Sequence, residues 1–202
     1  MEELRDRIRR IYAAIGETVE RELSRFLPTV SVSDHAVFFF QDFTGGLTEA
    51  QIANAAFAAI HALAHFPDHL RRWARSNGRP AEEVEGHVAS SPELAIIIDL
   101  SNRDKHGPPR DGGRSGKAPA VRNLRRAFSL SAGPEVGAVA QVVFTCSGPV
   151  LHGSGSAAVI ITGEIVASDG TSLGDLNLLL SEGLGQWEQL LAGWGVPTQG
   201  AA

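Results

Sequence analysis

The sequence predicts an α+β fold: an N-terminal helical bundle, then a small antiparallel sheet, then a C-terminal helix. Three observations carry this reading. Apolar residues recur at three- and four-residue steps through the first hundred positions. Runs rich in Val, Ile, Phe and Ala, broken by Gly-Pro and Gly-Ser, occupy residues 124–167. Helical spacing then returns between Leu176 and Trp194. Helices followed by strands, without βαβ alternation, define the α+β class. The expected organisation is one domain over 1–202, with a helical region over residues 1–107, a basic loop over 107–123, and strands plus a closing helix over 124–195. A separate lobe made of the sheet and last helix is the alternative arrangement.

Each element has a local reason. Leu4, Ile8, Ile11, Tyr12, Ile15, Val19, Leu23 and Phe26 form one stripe, which predicts a long helix over 3–27 ended by Pro28. Val30 to Thr44, with Phe38-Phe39-Phe40, reads as a buried connection or a short strand before Gly45-Gly46. Thr48 and Gln51 have capping-box spacing for an Ala-rich second helix running to about His65. Pro67 is expected to start a separate short helix, Asp68 to Ser76, stopped by Asn77-Gly78. Another helical stretch follows Pro80. Ser91-Pro92-Glu93 then supplies an N-cap and an N1 proline for a helix ending at Gly107-Pro108-Pro109. Strands are expected over 124–131, 136–146 and 156–167, and Leu176, Leu180, Leu184, Trp187, Leu191 and Trp194 give the last helix its apolar stripe.

Composition removes several classes. Hydrophobic residues are 43% and charged residues 20% of the 202, which suits a folded chain and not a disordered one. The single cysteine, Cys146, excludes an intrachain disulfide framework and a Cys-rich zinc module. The charged start MEELRDRIRR lacks a secretory pattern, and the longest apolar runs fall far short of the ~18 residues a membrane span needs. A cytoplasmic protein with no membrane contact is the expectation. Cys146 itself is expected to be a small core hydrophobe, and Trp73, Trp187 and Trp194 to be core residues.

Charge is unevenly spread. The net charge is −5, yet residues 103–126 hold eight basic residues (Arg103, Lys105, Arg110, Arg114, Lys117, Arg122, Arg125 and Arg126) against Asp104 and Asp111. Such a segment between acidic regions can steer phosphate, or it can dock on its own acidic neighbours as a solvated loop. RNA or an acidic protein is therefore the expected partner, with Lys105, Arg110, Arg114, Lys117 and Arg122 as the contact residues. No aromatic residue lies between Gly107 and Ala127, so a base-stacking platform is not expected there.

The stretch Asp99-Leu100-Ser101-Asn102-Arg103-Asp104-Lys105-His106-Gly107 is the most informative. At about 100° per residue, Asp99, Asn102, Arg103 and His106 share an arc of roughly 100°, with Leu94, Ile97, Ile98 and Ser101 opposite. An acid, an amide, a guanidinium and an imidazole grouped this way can orient the imidazole and stabilise a phosphate. The same cations also satisfy the carbonyls of a helix C-terminus.

This helix end, Asn102-x-x-Lys105-His106-Gly107 after an apolar run, resembles that of HEPN-type helical domains, and the likeness covers about residues 3–107. Members of that family include metal-independent RNases of toxin and anti-phage systems and non-catalytic RNA- or protein-binding modules. Their catalytic pattern is an Arg, a polar residue, three variable positions and a His. Asn102 matches the polar residue and His106 the histidine, whereas Ser101 stands where the Arg belongs. The resemblance implies a non-catalytic RNA- or protein-binding module; the alternative is an endoribonuclease acting through His106 and Asn102, with Arg103 and Asp99 in support. It also implies pairing of two such helices across a homodimer, which the stripes of the first and last helices can support.

Other motifs fall short. His61 and His65 have metal-ligand spacing with Asp68 and His69 nearby, but Ala62 stands where a zinc hydrolase needs Glu. Gly112 to Ala118 imitates a phosphate loop without its first glycine or its Ser/Thr, and Ser154 lacks the flanking glycines of a nucleophile elbow. No metal and no cofactor is expected.

Overall fold

A computed structural model describes residues 2–130, 137 and 139–197. Five helices enclose the main core: α1 (Glu2–Gly16), α2 (Glu49–Ser76), α3 (Glu82–Ser90), α4 (Pro92–His106) and α5 (Leu176–Gly193). The strands are β1 (Val19–Glu20), β2 (Thr29–Val32), β3 (Val37–Phe40), β4 (Ala120–Ser129), β5 (Val139–Thr145), β6 (Gly148–Ser154), β7 (Ala158–Val166) and β8 (Ser172–Asp175). The α+β class and the helix order are as the sequence predicts.

Caps fix the helix starts. The Thr48 hydroxyl accepts from the Gln51 backbone N–H while the Gln51 side chain accepts from that of Thr48, closing the capping box. Ser91 caps α4 ahead of its N1 proline, and Asp175 accepts from the N–H groups of Asn177 and Leu178 to start α5. Helix α1 stops at Gly16 instead of running to 27. The Thr18 hydroxyl bonds the Ile15 carbonyl, Val19 and Glu20 pair with β7, and Leu23 and Phe26 join a second apolar cluster with Leu151, Ala157 and Val159. Distant partners thus overrule a continuous helical stripe.

Helix α2 runs through Pro67 for 28 residues where the sequence predicts a break. Proline removes one N–H donor and crowds the preceding turn. Here Pro67 is buried between Phe66 and Leu70, both 1% exposed or less, and the packing of that turn sustains the helix.

In the four-stranded antiparallel sheet β7 is central, with β4 along one edge and β1 and β8 pairing its two ends. Ile161 and Ile165 of β7 enter the main core with Leu63, Leu70, Ile97, Leu100, Leu180 and Trp187. The sheet therefore packs on the helices. Strand β4 begins at Ala120, earlier than expected, and bulges between Arg122 and Arg125, with Asn123 at φ +53°.

Two hairpins stand apart from this sheet, β2–β3 and β5–β6. Neither β3 nor β6 was legible as one half of a hairpin. Segment 30–44 is not buried as its apolar content suggests: Val32, Val37 and Phe40 are each more than half exposed. Cys146, at the β5–β6 turn, is exposed and not a core residue. Predicted strand positions 131, 136 and 138 lie outside the described residues. Trp187 and Trp194 are buried as predicted, and Trp73 packs on the same core half-buried. No helix among the described residues is long and apolar enough to cross a membrane.

Candidate functional site

Helix α4 does not present one polar face. It is wedged between α2 on one side and the segment after its own C-terminus on the other, so that both Asp99 and Ser101 are buried, at 3% and 1% exposure. The four predicted catalytic residues consequently separate. Asp99 turns inward, Arg103 donates to the Ala118 carbonyl (3.4 Å), and Asn102 lines a cleft against α2 and α3. The His106 side chain stands exposed in the last turn and closes no hydrogen bond or ion pair with the described residues.

The Asp99 carboxylate organises the Gly-rich loop. It accepts from the backbone N–H groups of Arg114 and Ser115 and from the Ser115 hydroxyl, each at 2.7 Å. A carboxylate taken out of water needs such donors, because otherwise its desolvation is uncompensated. Gly113 (φ +75°) makes the approach possible, since a Cβ there would lie 2.6 Å from the carboxylate atoms of Asp99. The glycines that imitate a phosphate loop therefore wrap around an internal acid.

Between α2 and α4 the polar contacts form a brace. His61 Nε2 donates to the Asp104 carboxylate at 3.0 Å, which leaves Nδ1 to accept from the Ser101 hydroxyl at 2.8 Å. The set Ser–His–Asp has the composition of a nucleophile triad, but Ser101 is sealed from solvent, so it serves as an interhelical tie. One turn along α2, His65 stacks on His61 with ring centroids 5.9 Å apart, and its Nε2 accepts from the Lys105 ammonium. Both candidate metal-ligating histidines thus point at α4, and among the described residues no group of three His, Cys, Asp or Glu is placed to hold a metal.

Beside this brace lies a cleft of about 220 Å³, lined by His65, Asp68, Arg71, Glu85, Asn102 and Arg114 among others. Glu85 is held by Arg114 and by Arg71 (2.8 Å), and Arg71 also pairs with Asp68. The hydrogen bond and charge of Arg114, with Arg71, keep the Glu85 carboxyl below its usual range. The pairs are partly solvent-exposed, so each contributes at most about 1 kcal/mol. Sequence reasoning missed Arg71 and Glu85, which lie in separate helices with no motif between them.

The other basic residues divide in the same way. Arg126 donates to the Thr44 carbonyl and lies 5.0 Å over the Phe26 ring, and Arg125 donates to the Asn123 carbonyl. Arg110, Lys117 and Arg122 are exposed and close no ion pair among the described residues, although Arg122 is in register opposite Glu164.

No family model, no curated protein and no solved structure matches this chain.

Burial and the positive charge of Lys105, with lesser effects of His61 and His69, hold the His65 imidazole below its usual 6.5. His69 is lowered likewise, by burial and by Arg7 and Arg72. The folded chain then binds these protons less tightly than the unfolded chain, so acid favours unfolding. Their effect on stability is absent well above pH 6.5, and stability is lost as pH falls from there towards the lower folded values. Urea titrations between about pH 7.5 and 5.5 are expected to show a falling midpoint. The variant His65→Gln should flatten some of that fall, and an identical slope in wild type and variant would contradict the assignment.

Proposed function

We propose that this chain is a non-catalytic RNA-binding module that meets the phosphate backbone through Arg110, Lys117 and Arg122, with Lys105 at the helix margin. The observation that supports this reading is the contrast within the basic segment. Arg103, Arg114, Arg125 and Arg126 are engaged with the protein's own carbonyls and carboxylates, whereas Arg110, Lys117 and Arg122 are exposed and unpaired among the described residues. Loop residues anchored by a buried acid hold their charges at fixed positions, which reduces the ordering cost of binding. No stacking aromatic lies in the segment, which favours backbone contact over base readout.

The exposed imidazole of His106 keeps a second reading, a metal-independent endoribonuclease acting through Asn102 and His106. Ser101 in place of the family's Arg, and the inward turn of Asp99, favour the first.

Binding to single-stranded RNA is expected to weaken as salt rises, by roughly 0.7 in the log–log slope for each phosphate contacted. The triple variant Arg110→Ala, Lys117→Ala, Arg122→Ala should lower that slope by about 2 and weaken binding at every salt concentration. A slope near zero, or one unchanged by the triple variant, would remove the proposal; binding to a polyacidic peptide but not to RNA would reassign the face to a protein partner. Metal-free RNA cleavage lost in His106→Ala would establish the second reading instead.

A further inference from the structure

A cavity of about 240 Å³ lies between α1 and the second half of α2 and is lined by Glu3, Leu4, Arg7, His69, Arg72 and Trp73, with Ser76 and Asn77 at its end. Two features set it apart. The indole Nε1 of Trp73 and the imidazole Nδ1 of His69 are both buried with no hydrogen-bond partner. The only other such side-chain atom among the described residues, Trp187 Nε1, is deep in the core. The residues stand four apart on α2 and so share one face of the helix. A buried polar nitrogen left without a partner costs about 1–3 kcal/mol, and two of them on residues that line one cavity are unusual without a resident ligand. The indole N–H donates only, so whatever completes it must be an acceptor. The charge has the matching sign, since two guanidinium groups face a single carboxylate, that of Glu3.

We propose that this pocket binds a small oxyanion, the phosphate or carboxylate group of a compact ligand, which accepts from Trp73 Nε1–H and from His69 in the tautomer that carries its proton on Nδ1, and is balanced by Arg7 and Arg72. The volume exceeds the ~30 Å³ share of one water several-fold yet is below the ~300 Å³ at which drug-sized ligands begin. The site is independent of the RNA face, since it uses none of Arg110, Lys117 and Arg122.

The test is thermal unfolding and tryptophan fluorescence of the full chain, titrated with inorganic phosphate or with acetate against chloride at matched ionic strength. Phosphate should raise the melting temperature and change the fluorescence saturably; a response to acetate alone would assign the site to carboxylates. Arg7→Gln with Arg72→Gln should weaken binding about tenfold or more, and both side chains are exposed enough for the variant to fold. Trp73→Phe, which deletes the donor and keeps a ring, should weaken it severalfold. The RNA-face triple variant should retain the wild-type phosphate response, which separates failure here from failure of the RNA reading. No saturable response to either anion, or an arginine double variant that binds like wild type, would overturn the proposal.

Discussion

Asp99→Ala is expected to lower stability by about 3 kcal/mol or more and, at roughly 2–4 °C per kcal/mol for a chain of this size, the melting temperature by about 6–12 °C. Three donors now end on this carboxylate, and alanine leaves the Arg114 and Ser115 N–H groups and the Ser115 hydroxyl without it. Hydrogen bonds to a charged group contribute about 1.5–3 kcal/mol each, less than additively when they share one acceptor. Asp99→Asn keeps one acceptor oxygen and turns an NH₂ towards donors, so its loss should be about half that of alanine. Gly113→Ala should produce a similar defect by another route, because its Cβ meets the carboxylate and its φ of +75° disfavours a side chain. The double variant should be little worse than either single one, since both break the same seat. If the proposed RNA face exists and the loop positions its cations, Asp99→Ala also weakens RNA binding at temperatures where the chain remains folded. Unfolding midpoints within error of wild type for both Asp99→Ala and Gly113→Ala would show that the loop is not held this way.

Asp99 also marks the boundary of what sequence could tell. Helical geometry placed it with Asn102, Arg103 and His106, and those angles are right. What the periodicity lacks is that α4 has protein on both sides, because the partner of Asp99 lies 15 residues away in a loop with no pattern of its own. The same limit explains His61, whose partners Ser101 and Asp104 lie 40 and 43 residues further on, and the pairing of Val19–Glu20 with Ile160 and Val159 of β7, near the other end of the chain. Local devices were legible: the Thr48–Gln51 box, the Ser91-Pro92 start and the α5 stripe depend on neighbours within about four residues. The break expected at Pro67 failed for the complementary reason. The local cost of proline is real, but Phe66, Pro67 and Leu70 are all buried, and that burial outweighs it.

Trp187→Ala is expected to cost about 3–5 kcal/mol, towards the upper end of that range. Trp187 is 1% exposed and meets Phe66 edge-on, with ring centroids 5.5 Å apart, and His87 at 5.8 Å. How much a truncation costs depends on whether the surroundings can close the void. Here they are tied in place. The Gln186 carbonyl accepts from His87 Nε2 at 2.7 Å, Trp194 Nε1 donates to Glu83 at 2.7 Å, Arg79 donates to the Trp194 carbonyl, and Tyr12 donates to Glu188. These bonds fix the second half of α5 and the residue after it to α1, to α3 and to the turn before α3, so this end of the helix cannot settle into the space without breaking them. Trp187→Phe separates two effects. It loses some of the indole volume, but it also deletes a buried N–H that has no partner, and removing an unsatisfied donor returns a share of the loss. The phenylalanine variant is therefore expected to lose only about 1–2 kcal/mol, less than its volume change alone implies. Urea unfolding of the two variants, with the slope against urea unchanged from wild type, measures both quantities. A phenylalanine variant as unstable as the alanine one would mean that the indole N–H has an acceptor after all, and that this region of the core is polar where the packing makes it apolar.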